Sequence, residues 1–287
     1  MSLLKVILLA IIQGLAELLP VSSSAHVVVA EKLMGLDPSA PAMTLLLVML
    51  HTGTMFAVIV YFWRQWRRTF FSSMQDFKRF AWLAIIATAL TGLIGEIAIK
   101  IIEHTIFKGV PHAQIEDLFG RLGIIAPALL AAGILILVAG LLESDHYDSG
   151  IHSEFGPEIN TPQASLIGAI QGLCLPFRGF SRSGATISTA MLIGVRKVRA
   201  ESFSFALAVI LTPLAIGREA LRLHHAAHAS FAHAAMPSLV GMVFSFLAGL
   251  LALRWLSSWL ERGRWYYFGI YCIVASALVF FLHHRGY

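Results

Sequence analysis

Gln13-Gly14-Leu15-Ala16-Glu17-Leu18-Leu19-Pro20-Val21-Ser22-Ser23-Ser24-Ala25-His26 is a polar turn set in apolar sequence. It returns in altered form as Gln171-Gly172-Leu173-Cys174-Leu175-Pro176-Phe177-Arg178-Gly179-Phe180-Ser181-Arg182-Ser183-Gly184-Ala185-Thr186. Gln171 follows Gln13 by 158 positions, and Ser181 follows Ser23 by the same offset. Burying a carboxylate, an imidazole and guanidinium groups in a bilayer is costly, so such residues are functional by default. A twofold repeat of broken apolar segments also marks where membrane proteins of inverted-repeat design put their site.

Composition agrees with membrane burial. The chain has 287 residues, of which 57% are hydrophobic and 13% charged. A soluble domain of this length carries roughly a quarter charged residues. The net charge of +5 comes from basic residues in short loops beside apolar stretches, the placement that sets membrane topology and not a nucleic-acid patch. Cys174 and Cys272 sit in apolar sequence and read as small buried side chains, not a disulfide framework. Residues 3–12 imitate a signal-peptide core, but cleavage after Ala25 would remove most of the first motif, so no processing is expected.

Six stretches reach the 17–25 residues that a crossing helix needs: 43–63, 80–102, 122–142, 200–217, 239–260 and 266–282. Trp63, Trp66, Trp259, Trp265, Tyr266 and Tyr267 cluster at their ends, where interfacial anchors are expected. The motif segments differ, because Pro20 and Pro176 interrupt them and short apolar pieces follow. Each reads as a pair of half-helices that enters the membrane and turns back, tolerated only where protein or a watery cavity satisfies the backbone. The fold expected is an all-α integral membrane protein with six transmembrane helices and two re-entrant helical hairpins in an inverted-topology repeat. It forms one membrane domain, 1–287, with repeat one at 1–142 (hairpin 3–34) and repeat two at 161–287 (hairpin 165–194).

Arg64, Arg67, Arg68, Lys78, Arg79, Arg196, Lys197, Arg199, Arg262 and Arg264 lie in loops that the positive-inside rule assigns to the cytoplasm. Both termini then lie outside. Three spans separate the hairpins, so one enters from each face and their tips are expected to meet near the midplane. The loop at 143–160 is assigned to the cytoplasm although it has no Lys or Arg.

The first hairpin gathers Glu17, three serines and His26 in one turn. Glu17 can bind a divalent metal or act as a base, and His26 titrates near neutral pH. A serine hydroxyl beside them can serve as nucleophile or phosphate donor. The second hairpin offers Arg182 flanked by Ser181 and Ser183, with Thr186 opening the next half-helix. A guanidinium, hydroxyls and helix N-terminal amides make an anion site that suits phosphate. Together these are the inventory for cleaving a phosphoanhydride on a lipid-tailed substrate. The bland readings are a structural Glu17, and serines that merely cap freed amides, which fits Ser22 and Ser24. Arg182 resists such a reading, because a guanidinium there needs an anionic partner. Glu96 and Lys100, four apart, read as a local pair, and His224, His225, His228 and His233 as part of a solvated external helix.

These motifs resemble the signatures of the bacterial undecaprenyl-diphosphate phosphatases, the bacitracin-resistance family. The first lies at 14–26, the second is Gly-Phe-Ser-Arg-Ser-Gly-Ala-Thr at 179–186, and Phe203-Ser204-Phe205 also fits. The resemblance implies hydrolysis of undecaprenyl diphosphate to undecaprenyl phosphate and inorganic phosphate, recycling the carrier lipid for peptidoglycan synthesis. It also implies a divalent cation, which the residues suggest is Mg²⁺ or Ca²⁺ held between Glu17 and the phosphate oxygens. Residence in the bacterial inner membrane with the active site facing the periplasm is implied too. Glu17, Ser23, His26 and Arg182 match the residues expected to be catalytic. Ser22, Arg178, Ser181, Ser183 and Thr186 are the expected phosphate-binding set. Two positions depart from the pattern: Gln13 where a Glu often stands, and Arg178 where a Pro usually does. Arg178 then either adds a phosphate contact or pairs with a carboxylate. The partners expected are the polyisoprenyl diphosphate and membrane lipid, with a homodimer left open. The rival reading is a lipid transporter that uses the same midplane anion site.

Overall fold

A computed structural model describes residues 2–36, 41–106, 118–143, 158–226 and 231–286. These residues form ten helices. They are α1 (Leu3–Leu18), α2 (Ser23–Leu33), α3 (Pro41–Thr69), α4 (Met74–Ile106), α5 (Leu122–Glu143), α6 (Thr161–Cys174), α7 (Arg182–Leu192), α8 (Lys197–Ala226), α9 (Phe231–Glu261) and α10 (Tyr266–His284). Five of them, α3, α4, α5, α9 and α10, are long and apolar enough to cross a membrane. The sixth expected stretch, 200–217, lies within α8. The side chains of the four histidines at 224, 225, 228 and 233, and most of the loop at 143–160, lie outside the described residues.

Length separates α1, α2, α6 and α7 from these. At about 1.5 Å per residue, the 16-residue α1 is ~24 Å long and the 11-residue α2 and α7 are ~17 Å. None reaches the ~30 Å of a hydrocarbon core. α1 with α2, and α6 with α7, therefore form the two broken segments expected at 3–34 and 165–194. α6 and α7 each begin four residues ahead of the apolar pieces that betrayed them in the sequence. Asn160 and Gln163 close a reciprocal capping box at 2.9 and 3.0 Å that starts α6 early. Each hairpin is also laced at its mouth. Lys5 Nζ donates to Met34 O at 2.7 Å, and Gln163 Nε2 donates to Ile193 O at 3.1 Å.

The chain divides into two compact units interleaved along the sequence. The first comprises Met1–Leu19, Ser23–Arg64 and Phe205–Ser258, and the second Pro20–Ser22, Gln65–Ser204 and Trp259–Tyr287. Both are assembled by close backbone approach at small residues, the packing that suits lipid, where apolar burial gives no drive. In the first unit a Cβ on Gly14 would lie 2.6 Å from Ser245 O, and one on Gly53 2.3 Å from Met242 O. In the second, α4 packs on α6, and a Cβ on Gly168 would sit 2.3 Å from Ala87 O. The Thr91 hydroxyl, beside it, lies 2.8 Å from Ala87 O and 3.0 Å from Gly168 O. Gly168→Ala is therefore expected to cost ~1–3 kcal/mol by overpacking against backbone that cannot step aside. Gly92→Ala, with nothing within 4 Å of its Cβ, should be neutral or stabilising through helix propensity. Thermal unfolding in detergent checks both.

α4 turns most of its surface outward. Only 17% of its most apolar window is buried, against 50% for α5, and Trp82, Ile85 and Leu93 are exposed along it. Glu96 and Lys100 on this helix form the expected local pair at 3.3 Å. The aromatic residues are less uniform than the sequence reading held. Trp63, Trp259 and Tyr267 are exposed, but Trp66 and Trp265 point inward. Their indole N–H groups donate to Ser202 Oγ (3.1 Å) and Ser188 Oγ (2.9 Å), which makes burial of the ring affordable. Both cysteines are free, as expected, with Cys272 fully buried.

Candidate active site

The first turn is made by Pro20. A residue before proline is driven out of the helical region, and Leu19 is accordingly extended at φ −78°, ψ 151°. Ser22 then adopts φ 68°, the one positive φ at a non-glycine among the described residues. That conformation costs an L-residue roughly 1–2 kcal/mol, and such strain clusters at functional sites. Pro20–Ser22 belong to the second compact unit, where the Pro20 carbonyl accepts from the Cys272 thiol at 3.4 Å.

Flanking the turn, Glu17 stands in the last turn of α1 and Ser23 opens α2. The Ser23 hydroxyl donates to Glu17 Oε2. Gln13, one helical turn before Glu17, donates to the same oxygen at 3.2 Å. His51 on α3 places Nδ1 3.0 Å from Gln13 Nε2 and 3.8 Å from Glu17 Oε2. Ser23 and Gln13 are 9% and 2% exposed, while the side chains of Glu17 and His51 retain 16% and 43%. A carboxyl group in a largely apolar hairpin thus accepts the hydrogen bond of a buried serine hydroxyl, the pairing that a serine nucleophile would need. His26 lies in the first turn of α2, half-buried, three residues after Ser23.

The second turn uses glycine where the first uses a strained serine. Gly179 has φ 104°, and a Cβ there would lie 2.5 Å from Ile125 O of α5, so no other residue fits. Ser181 caps α7 by accepting from Gly184 N at 3.2 Å. Arg182, the first residue of the helix, is half-buried beside the positive end of the helix dipole. Ser183 is 3% exposed. Thr186 is fully buried, and its hydroxyl lies 2.8 Å from the Arg182 carbonyl and 2.6 Å from Ser204 Oγ on α8. It thereby braces the turn that carries Arg182. Arg178 lays its guanidinium over the Phe119 ring, 4.4 Å from the centroid, a cation–π contact that the sequence did not disclose.

The structure thus joins Glu17 and Ser23 directly in one unit, and in the other gathers Ser181, Arg182, Ser183 and Thr186 at one helix start. Sequence reasoning missed His51. Its signal was available, because an ionisable residue inside an apolar span calls for a function. Among the described residues no three His, Cys, Asp or Glu side chains cluster as a metal cage. The oxygens of Glu17 and Ser23 are instead a partial hard-donor set, the kind that holds Mg²⁺ or Ca²⁺ only when phosphate oxygens complete it.

A multi-pass, all-helical membrane protein with two polar broken hairpins is the class these features define. The chain belongs to the bacitracin resistance protein BacA family, which matches residues 6–278. It is 58% identical over 286 residues to undecaprenyl-diphosphatase 2 of Acinetobacter baylyi (strain ATCC 33305 / BD413 / ADP1), covering 97% of each chain. It is 34% identical to undecaprenyl-diphosphatase 2 of Burkholderia ambifaria, over 98% of this chain and 96% of that one. The undecaprenyl-diphosphatase of Desulfatibacillum aliphaticivorans is 33% identical over 96% and 97% of the two chains.

Proposed function

We propose that this protein is a membrane undecaprenyl-diphosphatase, releasing inorganic phosphate from undecaprenyl diphosphate and returning the monophosphate carrier for peptidoglycan synthesis. The observation that carries the chemistry is the hydrogen bond from Ser23 to the Glu17 carboxylate. In this reading Glu17 takes the Ser23 proton as the Ser23 oxygen attacks the terminal phosphorus. The P–O anhydride bond breaks, undecaprenyl phosphate leaves, and water then hydrolyses the phosphoserine to free phosphate. His26 supplies and removes protons at the leaving and attacking oxygens. Arg182, with Ser181, Ser183 and the amide-rich start of α7, holds the diphosphate and offsets charge gathering on the transferred group. Ser22 and Arg178 add donors, and Thr186 keeps the Arg182 turn in place.

Glu17 and Ser23, with the phosphate oxygens of the substrate, would hold a Mg²⁺ or Ca²⁺ ion. Bound there, the ion supplies further neutralisation of phosphate charge. The reading counts six crossings, with 200–217 of α8 as the sixth, an inverted repeat, and both turns serving one diphosphate from the periplasmic side. His26→Ala is expected to lower phosphate release by ~100-fold or more, the scale of a general acid or base. Purified protein in detergent is the right setting, since a transporter with no second leaflet releases no phosphate. Near wild-type turnover by His26→Ala would remove His26 from the mechanism, and no phosphate release from the unaltered chain would remove the enzyme reading.

A further inference from the structure

Glu17 is the end of a relay that reaches back to α3. The Gln13 amide nitrogen, 2% exposed as a residue, lies 3.2 Å from Glu17 Oε2 and 3.0 Å from His51 Nδ1. An amide nitrogen only donates, and an ionised carboxylate only accepts. The two N–H bonds of Gln13 are therefore divided between Glu17 and His51, and His51 Nδ1 must be the acceptor, with its ring proton on Nε2. Turned the other way, the amide would set its oxygen against the carboxylate, so Glu17 fixes which end of the amide faces it. His51, accepting the second N–H, holds the Gln13 amide in the place from which it donates to Glu17. Its own ring stands 3.8 Å from Glu17 Oε2, too far for a hydrogen bond, so it reaches the carboxylate through Gln13.

The ring is not a core filler either. Its side chain is 43% exposed, whereas the residues that pack the centre of this hairpin, Leu9, Ala10, Leu46 and Leu50, are fully buried. A polar ring kept in an apolar helix at such a position needs a polar task.

We infer that His51 is a positioning residue for phosphate release, acting through Gln13 to hold the Glu17 carboxylate toward Ser23. This rests on the role given to Glu17 above and extends it to a residue on a different helix. It also gives Gln13 a purpose: the amide is a connector between an imidazole and a carboxylate.

The test is a double-mutant cycle on phosphate release by the full-length protein in detergent. His51→Leu removes the acceptor and should lower kcat by about tenfold or more, the scale of an outer-shell partner, with KM little changed. His51→Asn carries an amide oxygen on Cγ, where Nδ1 stands in the imidazole, so it can accept the same hydrogen bond and should recover most of that loss. In a Gln13→Ala background His51→Leu should do no further harm, because the path it uses is already cut. Equal losses for His51→Asn and His51→Leu, or losses that multiply in the Gln13→Ala background, would overturn the inference. Unfolding temperatures identify a variant that fails to fold. His51→Ala, which carries no acceptor, then replaces His51→Leu. Glu17→Gln assayed alongside separates the two claims. If it retains activity the proposed mechanism falls, whereas if it is inactive and the His51 variants depart from this pattern, only the relay falls.

Discussion

Arg182→Ala is expected to lower phosphate release by ~10²–10³, the cost of deleting one preorganised charge-stabilising donor. In the proposed reaction the transferred phosphoryl group spreads negative charge over its outer oxygens as the anhydride breaks, and Arg182 is the residue assigned to offset it. Arg182 begins α7, so in the proposed mechanism its guanidinium and the positive end of the helix dipole would act on the same anion. Ser181 and Thr186 fix that turn from within, through Gly184 N and the Arg182 carbonyl. Arg182→Lys keeps the charge but loses the planar fork, so it should fall between wild type and alanine. The loss should appear in both kcat and kcat/KM, measured by phosphate release at saturating and limiting lipid. A change confined to KM would mean that Arg182 binds ground state and transition state equally.

Glu17→Gln and Ser23→Ala are expected to be comparably damaging, each ~100-fold or more. The glutamine keeps the volume and an oxygen able to accept the Ser23 proton bond, but it lacks the negative charge that takes the proton away. Ser23→Ala leaves the base with nothing to activate. Because the two act as one unit, the double variant should be scarcely worse than either single, as interdependent catalytic groups behave. Wild-type protein quenched during turnover should carry phosphate on Ser23, and Glu17→Gln should not. Full activity in Ser23→Ala with Glu17→Gln inactive would replace the phosphoserine with direct attack by water.

Much of this was legible in the chain. Pro20 and Pro176 inside segments too short to cross, with charges beside them, are local signals, and the half-helices stand where they indicated. So do the Glu96–Lys100 pair and the unpaired thiols. The Glu17–Ser23 contact was partly legible, since a turn brings residues six apart together. What the sequence hid depends on tertiary neighbours. His51 is 38 positions from Gln13, and the hydrogen bond between them exists only because α3 packs on α1. Ser204 reaches Thr186 from another helix. Trp66 and Trp265 looked like interfacial anchors because position along a helix is readable while the direction a ring faces is not. Their burial follows from Ser202 and Ser188, whose proximity no periodicity reports.

The most direct test of the whole account is inorganic phosphate release from undecaprenyl diphosphate by purified wild-type, Glu17→Gln, Arg182→Ala and the Glu17→Gln/Arg182→Ala double variant. The account predicts multiple turnovers for wild type, deep losses for each single variant, and a double variant whose loss falls far short of their product. Losses that multiply as for independent sites, or the absence of phosphate release by wild type, would contradict one reaction served by both polar turns.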